Sequence, residues 1–249
     1  MLRSARHVAV LTGAGISAES GIPTFRDAMT GWWARYRPED LATPEAFLRD
    51  PDLVWRWYRE RRLKLPDVEP NPGHYALARL ARKVPQLTLI TQNVDGLHAR
   101  AGSPEVVELH GNLSRVKCFA RHHPVADFPD TEAVPACPTC GSPLRPDVVW
   151  FGELLPEAAL RRAEAAAREC DVFLSVGTSN LVEPAASLPW VAAQRGAPVL
   201  VVNPSMHGQR TGPGIHHLTG PAGRVLPELL QAAWPEQWRI LSFVLPLVS

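Results

Sequence analysis

The sequence predicts an α/β protein built on a Rossmann-like parallel sheet with helices on both faces. Strand-like apolar runs alternate with helix-like stretches, which is the element order of a parallel sheet covered by helices. The runs are apolar throughout rather than at every second residue, as expected of strands that are buried on both faces. In chain order they read "HVAVLT", "QLTLIT", "EVVEL", "DVFLSVG" and "APVLVVN".

Size and charge limit the architecture and the partners. A chain of 249 residues buries one large core, with room for a small satellite. Its formal net charge of +1 gives no electrostatic reason to expect a nucleic acid or an anionic membrane as partner. No apolar signal region precedes the first run, so we expect a cytoplasmic protein that is monomeric or weakly dimeric.

Two segments interrupt the alternation and predict a smaller inserted part. Residues 28–72 hold the helix-like pieces "TPEAFLRD" and "PDLVWRWYRERRLKL", each with a proline suited to a first helical turn. Residues 113–147 are short of apolar runs and rich in Pro, Cys and His. Prolines and charges interrupt the apolar residues 231–249, so we expect an extension packed on the body or on a second subunit. The large part then comprises residues 1–27, 73–112 and 148–230.

A glycine turn follows the first run. Gly13-Ala14-Gly15 and a helix starting within residues 17–20 would offer backbone N–H groups and a helix dipole to a pyrophosphate. The same residues also suit a plain tight turn, since Ala18 stands where the motif has its third glycine. A dehydrogenase would place an acidic ribose anchor about 20 residues on. Here the chain reads "SGIPTFRDAMTGWW", which argues against hydride transfer.

Six motifs in order give the glycine turn a more specific interpretation. They read "GAGISAESGIPTFRD", "TQNVDGLH", "ELHGN", "VVWFGE", "VGTS" and "VVNPS". Together they resemble the sirtuins, NAD-dependent protein deacylases, over about residues 7–230. The resemblance implies that NAD is consumed: the acyl oxygen of a modified lysine attacks the ribose carbon bonded to nicotinamide. Nicotinamide leaves, and hydrolysis gives free lysine and O-acyl-ADP-ribose. The partners would be acyl-lysine proteins or peptides.

The resemblance also implies roles for polar residues at strand ends, where ligands of open α/β sheets collect. His110 would act as a base for a ribose hydroxyl. Asn93 would hold the ribose and Asp95 the nicotinamide amide, with Gln92 lining the same pocket. From the residues alone, His110 also suits a hydrogen-bonded histidine at a strand end, and residues 93–95 an Asx-type turn.

Further cofactor contacts follow from the same motifs. Phe25 would shield the reactive carbon once nicotinamide has left, and Arg26 would offer a fixed cation to phosphate or ribose oxygens. A plain surface loop is the alternative for both. The remaining cofactor-binding positions that the resemblance implies are Gly13, Ala14, Gly15, Ala18, Trp32, Gly177, Thr178, Ser179, Asn203 and Ala222.

A Tyr-x-x-Arg pair indicates the acyl group. Tyr58 and Arg61 project to one side of a helix, where a phenol and a guanidinium suit a carboxylate. The alternative is an amphipathic helix whose arginine reaches water. The spacing resembles the sirtuin subgroup that removes succinyl and malonyl groups, so we expect that preference with weaker deacetylation. The backbone of Val149, Phe151 and Gly152 would pair with an extended substrate peptide.

The cysteines raise the question of a metal. Sirtuins usually hold a structural zinc with two C-x-x-C pairs, in a zinc-ribbon-like module. Cys137 and Cys140 form one pair, but the other reads Cys118-Phe-Ala-Arg121, and arginine does not bind zinc. We expect Cys118, Cys137 and Cys140 to hold zinc. A fourth ligand would be a water or one of the two histidines at positions 122 and 123, unless the metal has been lost.

Two other functions share part of this pattern. A non-catalytic module that binds NAD or ADP-ribose would keep the glycine turn but would not need His110 beside Asn93. A protein ADP-ribosyltransferase would share the bond-breaking step and pass the ADP-ribose to a protein.

Overall fold

The computed structural model describes residues 1–22, 36–205, 209 and 211–237. The predicted contacts of Phe25, Arg26 and Trp32 lie outside these residues, as does most of the apolar C-terminal extension. Within the described part the strands are β1 (His7–Thr12), β2 (Gln86–Thr91), β3 (Val106–Glu108), β4 (Gly111–Cys118), β5 (Pro124–Val125), β6 (Leu144–Val148), β7 (Val172–Val176), β8 (Val199–Asn203) and β9 (Ile215–Thr219).

Six of these strands form one parallel sheet in the order β3-β2-β1-β7-β8-β9. The chain begins in the middle of the sheet, runs to one edge and then returns to build the other half. The order in which strands are added therefore changes side between β1 and β7, although all six strands run parallel. Open α/β sheets bind ligands in the crevice at the carboxyl ends of two such strands. The predicted fold class is confirmed.

Helices cover both faces of this sheet. The described helices are α1 (Pro44–Arg49), α2 (Pro51–Lys64), α3 (Pro72–Leu80), α4 (Leu97–Arg100), α5 (Glu157–Glu169), α6 (Leu188–Gln194) and α7 (Ala222–Ala233). Val8 and Val10 of β1 point to the core under α3 and α7, while Ala9 and Leu11 point to the core under α5 and α6. Both faces are buried, which explains the continuously apolar runs.

A second, smaller sheet is antiparallel, with the order β5-β4-β6. Helices α1 and α2 pack beside it through an aromatic core that includes Phe47, Trp57, Tyr58 and Trp150. Both helices begin with a proline, as the sequence predicts, and their N-termini are capped by Thr43 and Asp50. The positions at which one domain passes into the other stay a prediction.

Two details differ from the sequence-based expectation. Strand β9 was not predicted: it lies at the sheet edge and reads "IHHLT", which contains no continuous apolar run. The prediction of a helix that starts within residues 17–20 is wrong. The described chain there forms single 3₁₀ turns at Ala14–Ile16 and Ala18–Ser20, and Gly21 ends the second with φ +82°. An anion at this turn would meet backbone N–H groups rather than the dipole of a long helix.

Among the residues that the structure describes, no helix combines the length and the apolar character needed to cross a bilayer.

Candidate active site

The described residues of the predicted dinucleotide site lie together at one edge of the large sheet. We call the loops that follow β1, β2, β7 and β8 the carboxyl edge. The first loop carries Gly13, Ala14, Gly15 and Ala18, and the second carries Gln92, Asn93 and Asp95. The third and fourth contribute Gly177, Thr178, Ser179 and Asn203, and Ala222 is the first residue of α7.

Glycines at the carboxyl edge allow the backbones after β1 and β7 to touch. The Gly15 N–H donates to the Gly177 carbonyl oxygen at 2.8 Å. A Cβ on Gly15 would lie 2.7 Å from that oxygen, and one on Gly13 would lie 2.8 Å from Cβ of Thr178. Gly177 has φ +60°, and a Cβ there would be 2.4 Å from the Ile16 nitrogen. The two turns therefore form one glycine-lined surface, which fits a pyrophosphate approaching the backbone.

Amide side chains tie the four loops of the carboxyl edge together. Asn93 Nδ2 donates to the Gly13 carbonyl oxygen at 3.1 Å, and Gln92 Nε2 donates to Thr178 Oγ1 at 2.9 Å. Asn203 Nδ2 donates to the Thr178 carbonyl oxygen at 3.0 Å. Because Asn93 uses its NH₂ group internally, its Oδ1 is the atom that can accept from a ligand hydroxyl.

Asp95 belongs to a buried network that the sequence did not reveal. Ser17 Oγ donates to Asp95 Oδ2 at 2.7 Å and accepts from Asn93 Nδ2 at 3.1 Å. His74 Nε2 lies 3.4 Å from the same hydroxyl, and His74 Nδ1 accepts from the Asn71 N–H, which fixes the tautomer. Burial lowers the pKa of His74, so its ring is neutral here. The only local sign was Asn71-Pro72 before a histidine, a helix-capping pattern.

His110 lies where the large and small sheets meet. Its Nδ1 is 2.9 Å from the Gln92 carbonyl oxygen. A carbonyl only accepts, so Nδ1 carries the proton and Nε2 carries the lone pair of the neutral ring. Burial lowers the pKa of His110, and the hydrogen bond to Gln92 opposes that shift in part. His110 is therefore a neutral base at pH 7, with Nε2 as the basic atom.

Gly111 explains why a glycine must follow that histidine. Its φ is +80°, and a Cβ would lie 2.1 Å from the Asp147 carbonyl oxygen on β6. Only a glycine lets the start of β4 lie so close to the paired strand β6. Beyond this pairing, the Val149 N–H donates to the His110 carbonyl oxygen at 2.9 Å, which joins the predicted base to residues 149–153, here called the peptide segment.

The peptide segment uses part of its backbone internally. The Val149 N–H donates to His110, and the Phe151 N–H donates to the Ala42 carbonyl oxygen at 2.9 Å. A substrate strand paired with Val149, Phe151 and Gly152, as predicted, would therefore use backbone groups other than these two N–H groups. The Phe151 side chain is 52% exposed and lies beside that backbone.

Tyr58 and Arg61 lie on α2 beside the peptide segment. Tyr58 is buried, and its Oη accepts a hydrogen bond from Trp150 Nε1 at 3.1 Å. The Arg61 guanidinium lies 3.4 Å from the centroid of the Trp57 ring. Burial lowers the pKa of Arg61 to about 10, so the group is still charged at pH 7 although it has lost much of its hydration. A carboxylate beside it would be attracted more strongly than at the surface.

The three predicted metal ligands form a cluster below α2. The sulfur atoms of Cys118, Cys137 and Cys140 lie within 4.8 Å of one another, and those of Cys118 and Cys140 are 3.5 Å apart. His123 Nε2 is 3.4 Å from the Cys137 sulfur, whereas His122 is exposed. Tetrahedral zinc ligands lie about 3.8 Å apart, so the three thiolates fit three corners of a structural zinc site, and His123 lies beside one of them, Cys137.

Comparison with known proteins agrees with this geometry. A model of the Sir2 family matches residues 13–184. The NAD-dependent protein deacylase 1 of Pseudomonas aeruginosa is 54% identical over 244 residues, covering 94% of this chain and 97% of that protein. A crystal structure of a Sir2 homolog–NAD complex has a TM-score of 0.85 at 43% identity, covering 94% of this chain and 92% of that chain. The structure of Sir2Af2 bound to a myristoylated histone peptide has a TM-score of 0.74 at 37% identity, covering 96% and 95%. The resemblance read from the six motifs is confirmed: this chain belongs to the Sir2 family.

Proposed function

We propose that this chain is an NAD-dependent protein deacylase that prefers succinyl- and malonyl-lysine and removes acetyl groups more weakly. The enzyme class and the use of NAD are supported by membership of the Sir2 family and by relatives that are named NAD-dependent protein deacylases. The choice of acyl group rests on α2. The products are nicotinamide, O-acyl-ADP-ribose and the free lysine.

The carboxyl edge holds the dinucleotide in this proposal. Bound NAD supplies the bond between ribose and nicotinamide that is broken. The glycine surface of Gly13, Gly15 and Gly177 receives the pyrophosphate, as its contacts allow no side chain there. Asn93 offers Oδ1 to the ribose, while Asp95, held by Ser17, accepts from the nicotinamide amide. The site also includes Ala14, Ala18, Gln92, Thr178, Ser179, Asn203 and Ala222.

His110 accepts a proton from a ribose hydroxyl at Nε2. The hydrogen bond from Nδ1 to Gln92 fixes the ring so that this atom faces away from the sheet backbone. The bond between Val149 and the His110 carbonyl fixes its distance from the peptide segment. General-base catalysis of this kind is worth about 100- to 10,000-fold in rate.

The single observation that carries the acyl preference is the pair of polar groups on the buried side of α2. Tyr58 presents a hydroxyl and Arg61 a charged, poorly hydrated guanidinium among aromatic neighbours. A carboxylate at the end of a succinyl or malonyl chain could accept hydrogen bonds from both groups, in addition to the bond that Arg61 Nη1 donates to the Trp57 carbonyl oxygen at 3.0 Å, whereas an acetyl methyl could accept none. The related structure with a myristoylated histone peptide supports acylated proteins as the substrate class.

Arg61→Met tests this preference. The substitution keeps the aliphatic stem and removes one charge-assisted hydrogen bond, so kcat/KM on a succinyl-lysine peptide should fall about 10- to 100-fold. The rate on the matching acetyl-lysine peptide should stay within about twofold. Arg56→Met, on the exposed side of the same helix, is the matched control and should change neither rate. An unchanged succinyl-to-acetyl ratio in Arg61→Met would sink the assignment.

Product analysis separates the deacylase from its alternatives. With NAD labelled in the adenosine ribose, the label should appear in a small acyl ester by mass spectrometry. Label on protein would favour ADP-ribosyl transfer, and intact NAD after long incubation with acyl-lysine peptides would favour a binding module.

We further propose that Cys118, His123, Cys137 and Cys140 hold a structural zinc. The metal fastens the small sheet beneath α2, because Trp55 of that helix packs directly against the cysteines. It takes no part in the bond-breaking step.

A further inference from the structure

The hydrogen bond between Trp150 and Tyr58 has a fixed direction. An indole N–H can only donate, so Trp150 Nε1 donates and Tyr58 Oη accepts, at 3.1 Å. Both side chains are buried, with exposed fractions of 2% and 6%. Water therefore does not compete for this bond, and the phenol oxygen keeps one orientation.

Trp150 is itself held by two further contacts. Its backbone N–H donates to Glu153 Oε2 at 2.8 Å, and the Arg145 guanidinium lies 3.4 Å from the centroid of its indole ring. Arg145 is fully buried and forms a two-bond ion pair with Glu153, with Nη2 to Oε2 at 2.8 Å. Burial raises the pKa of Glu153, but its bonds with Arg145 and the Trp150 N–H outweigh this and lower it overall. The ion pair thus stays charged and fixes the indole.

The bond from Trp150 limits the direction in which the Tyr58 hydroxyl proton can point. Across the residues that the structure describes, Tyr58 Oη forms a single hydrogen bond, the one from Trp150. Burial raises the pKa of Tyr58 well above its usual range, so the phenol keeps its proton. Since Oη accepts from Trp150, its O–H proton points away from that bond and can be donated to another acceptor. Arg61 lies one helical turn further along α2, on the same side.

We propose that Trp150 is a positioning residue for acyl selection: its indole N–H turns the Tyr58 hydroxyl so that the proton is donated to the carboxylate of the bound acyl chain. The inference rests on the proposed preference for succinyl and malonyl groups. In this role the Trp150 indole does not contact the acyl carboxylate itself. It acts through the orientation of Tyr58, and the Arg145–Glu153 pair acts through the orientation of Trp150.

Trp150→Phe tests the proposal, because it keeps a ring in the aromatic core and removes only the donor. We expect kcat/KM on succinyl-lysine peptide to fall about 3- to 10-fold, mainly through a higher KM. A fall of this size corresponds to the loss of one hydrogen bond. The rate on acetyl-lysine peptide should stay within about twofold. In a Tyr58→Phe background, where no hydroxyl is left to orient, Trp150→Phe should cause no further loss of succinyl selectivity. An equal fall on both peptides, or a full loss in the Tyr58→Phe background, would overturn the proposal.

A spectroscopic measurement keeps the proposal testable if Trp150→Phe does not fold. In ¹⁵N-labelled protein, Tyr58→Phe should move the Trp150 indole N–H signal and speed its exchange with solvent, while Arg56→Met should do neither. An indole signal unmoved by Tyr58→Phe would show that no such bond exists. Failure of the proposed function gives a different pattern, since Arg61→Met would then leave the acyl ratio unchanged. Loss of the ratio in Arg61→Met with none in Trp150→Phe would reject only the role of Trp150.

Discussion

The carboxyl edge and the α2 side, meaning α2 together with residues 145–153, are built from different kinds of contact. At the carboxyl edge, backbone lies against backbone through glycines, and the amide side chains bind carbonyl oxygens or a neighbouring hydroxyl. On the α2 side, the shape depends on side chains that bind one another: Arg145 to Glu153, Trp150 to Tyr58, and Arg61 over Trp57.

This difference indicates at which part of the site residues can be exchanged. Backbone contacts at van der Waals distance admit no larger residue, so a change at the carboxyl edge should impair every reaction that uses the dinucleotide. Side-chain contacts can be exchanged with little movement of the backbone, so a change on the α2 side should alter the choice of acyl group. His110 binds to both regions through its ring and its carbonyl oxygen.

The largest effect is expected from His110→Ala. Loss of the base should lower nicotinamide release and deacylation about 100- to 10,000-fold, by the same factor for succinyl and acetyl peptides. The exposed His216→Ala on β9 is the control and should keep the wild-type rate. Because burial lowers the pKa of His110, the wild-type kcat/KM should decline only at a more acidic pH than an ordinary exposed histidine would cause, as Nε2 becomes protonated. Near-normal release from His110→Ala would contradict the assigned role.

Gly177→Ala tests the backbone contacts of the carboxyl edge. The added methyl would lie 2.4 Å from the Ile16 nitrogen and push the two turns apart, so nicotinamide release should fall about 100-fold with either peptide. Gly196→Ala is the matched control: its φ is +86°, but nothing lies within 4 Å of a Cβ. It should lose about 1–2 kcal/mol of unfolding free energy and keep its turnover. If both variants lost turnover alike, the strained backbone angle rather than the close contact would be responsible.

The smallest effect on chemistry is expected at the cysteine cluster. Purified protein should contain one zinc per chain, and His123→Ala should retain zinc at least about tenfold more weakly against a chelator. His122→Ala, at the exposed neighbour, should retain it as the wild type does. The succinyl-to-acetyl ratio should change little while zinc is bound. Less than about 0.2 zinc per wild-type chain would reject the site.

The sequence by itself determined much of the fold and the family. Continuous apolar runs marked five strands of the parallel sheet, and a proline suited to a first helical turn marked the starts of α1 and α2. The glycine turn and the polar residues after each strand placed the carboxyl edge. These features are local: a run or a turn encodes the backbone conformation of its own residues, so it can be read without knowing the neighbours.

Only the tertiary structure decided which side chains meet. Trp150 and Tyr58 are 92 positions apart, and Ser17 and Asp95 are 78 apart, yet each pair shares a hydrogen bond. No periodicity records such a contact, because it depends on how the two sheets and α2 pack together. The same packing decided that His123 rather than His122 faces the cysteines. It also decided that the turn after β1 stays short, since Gly15 lies directly on Gly177.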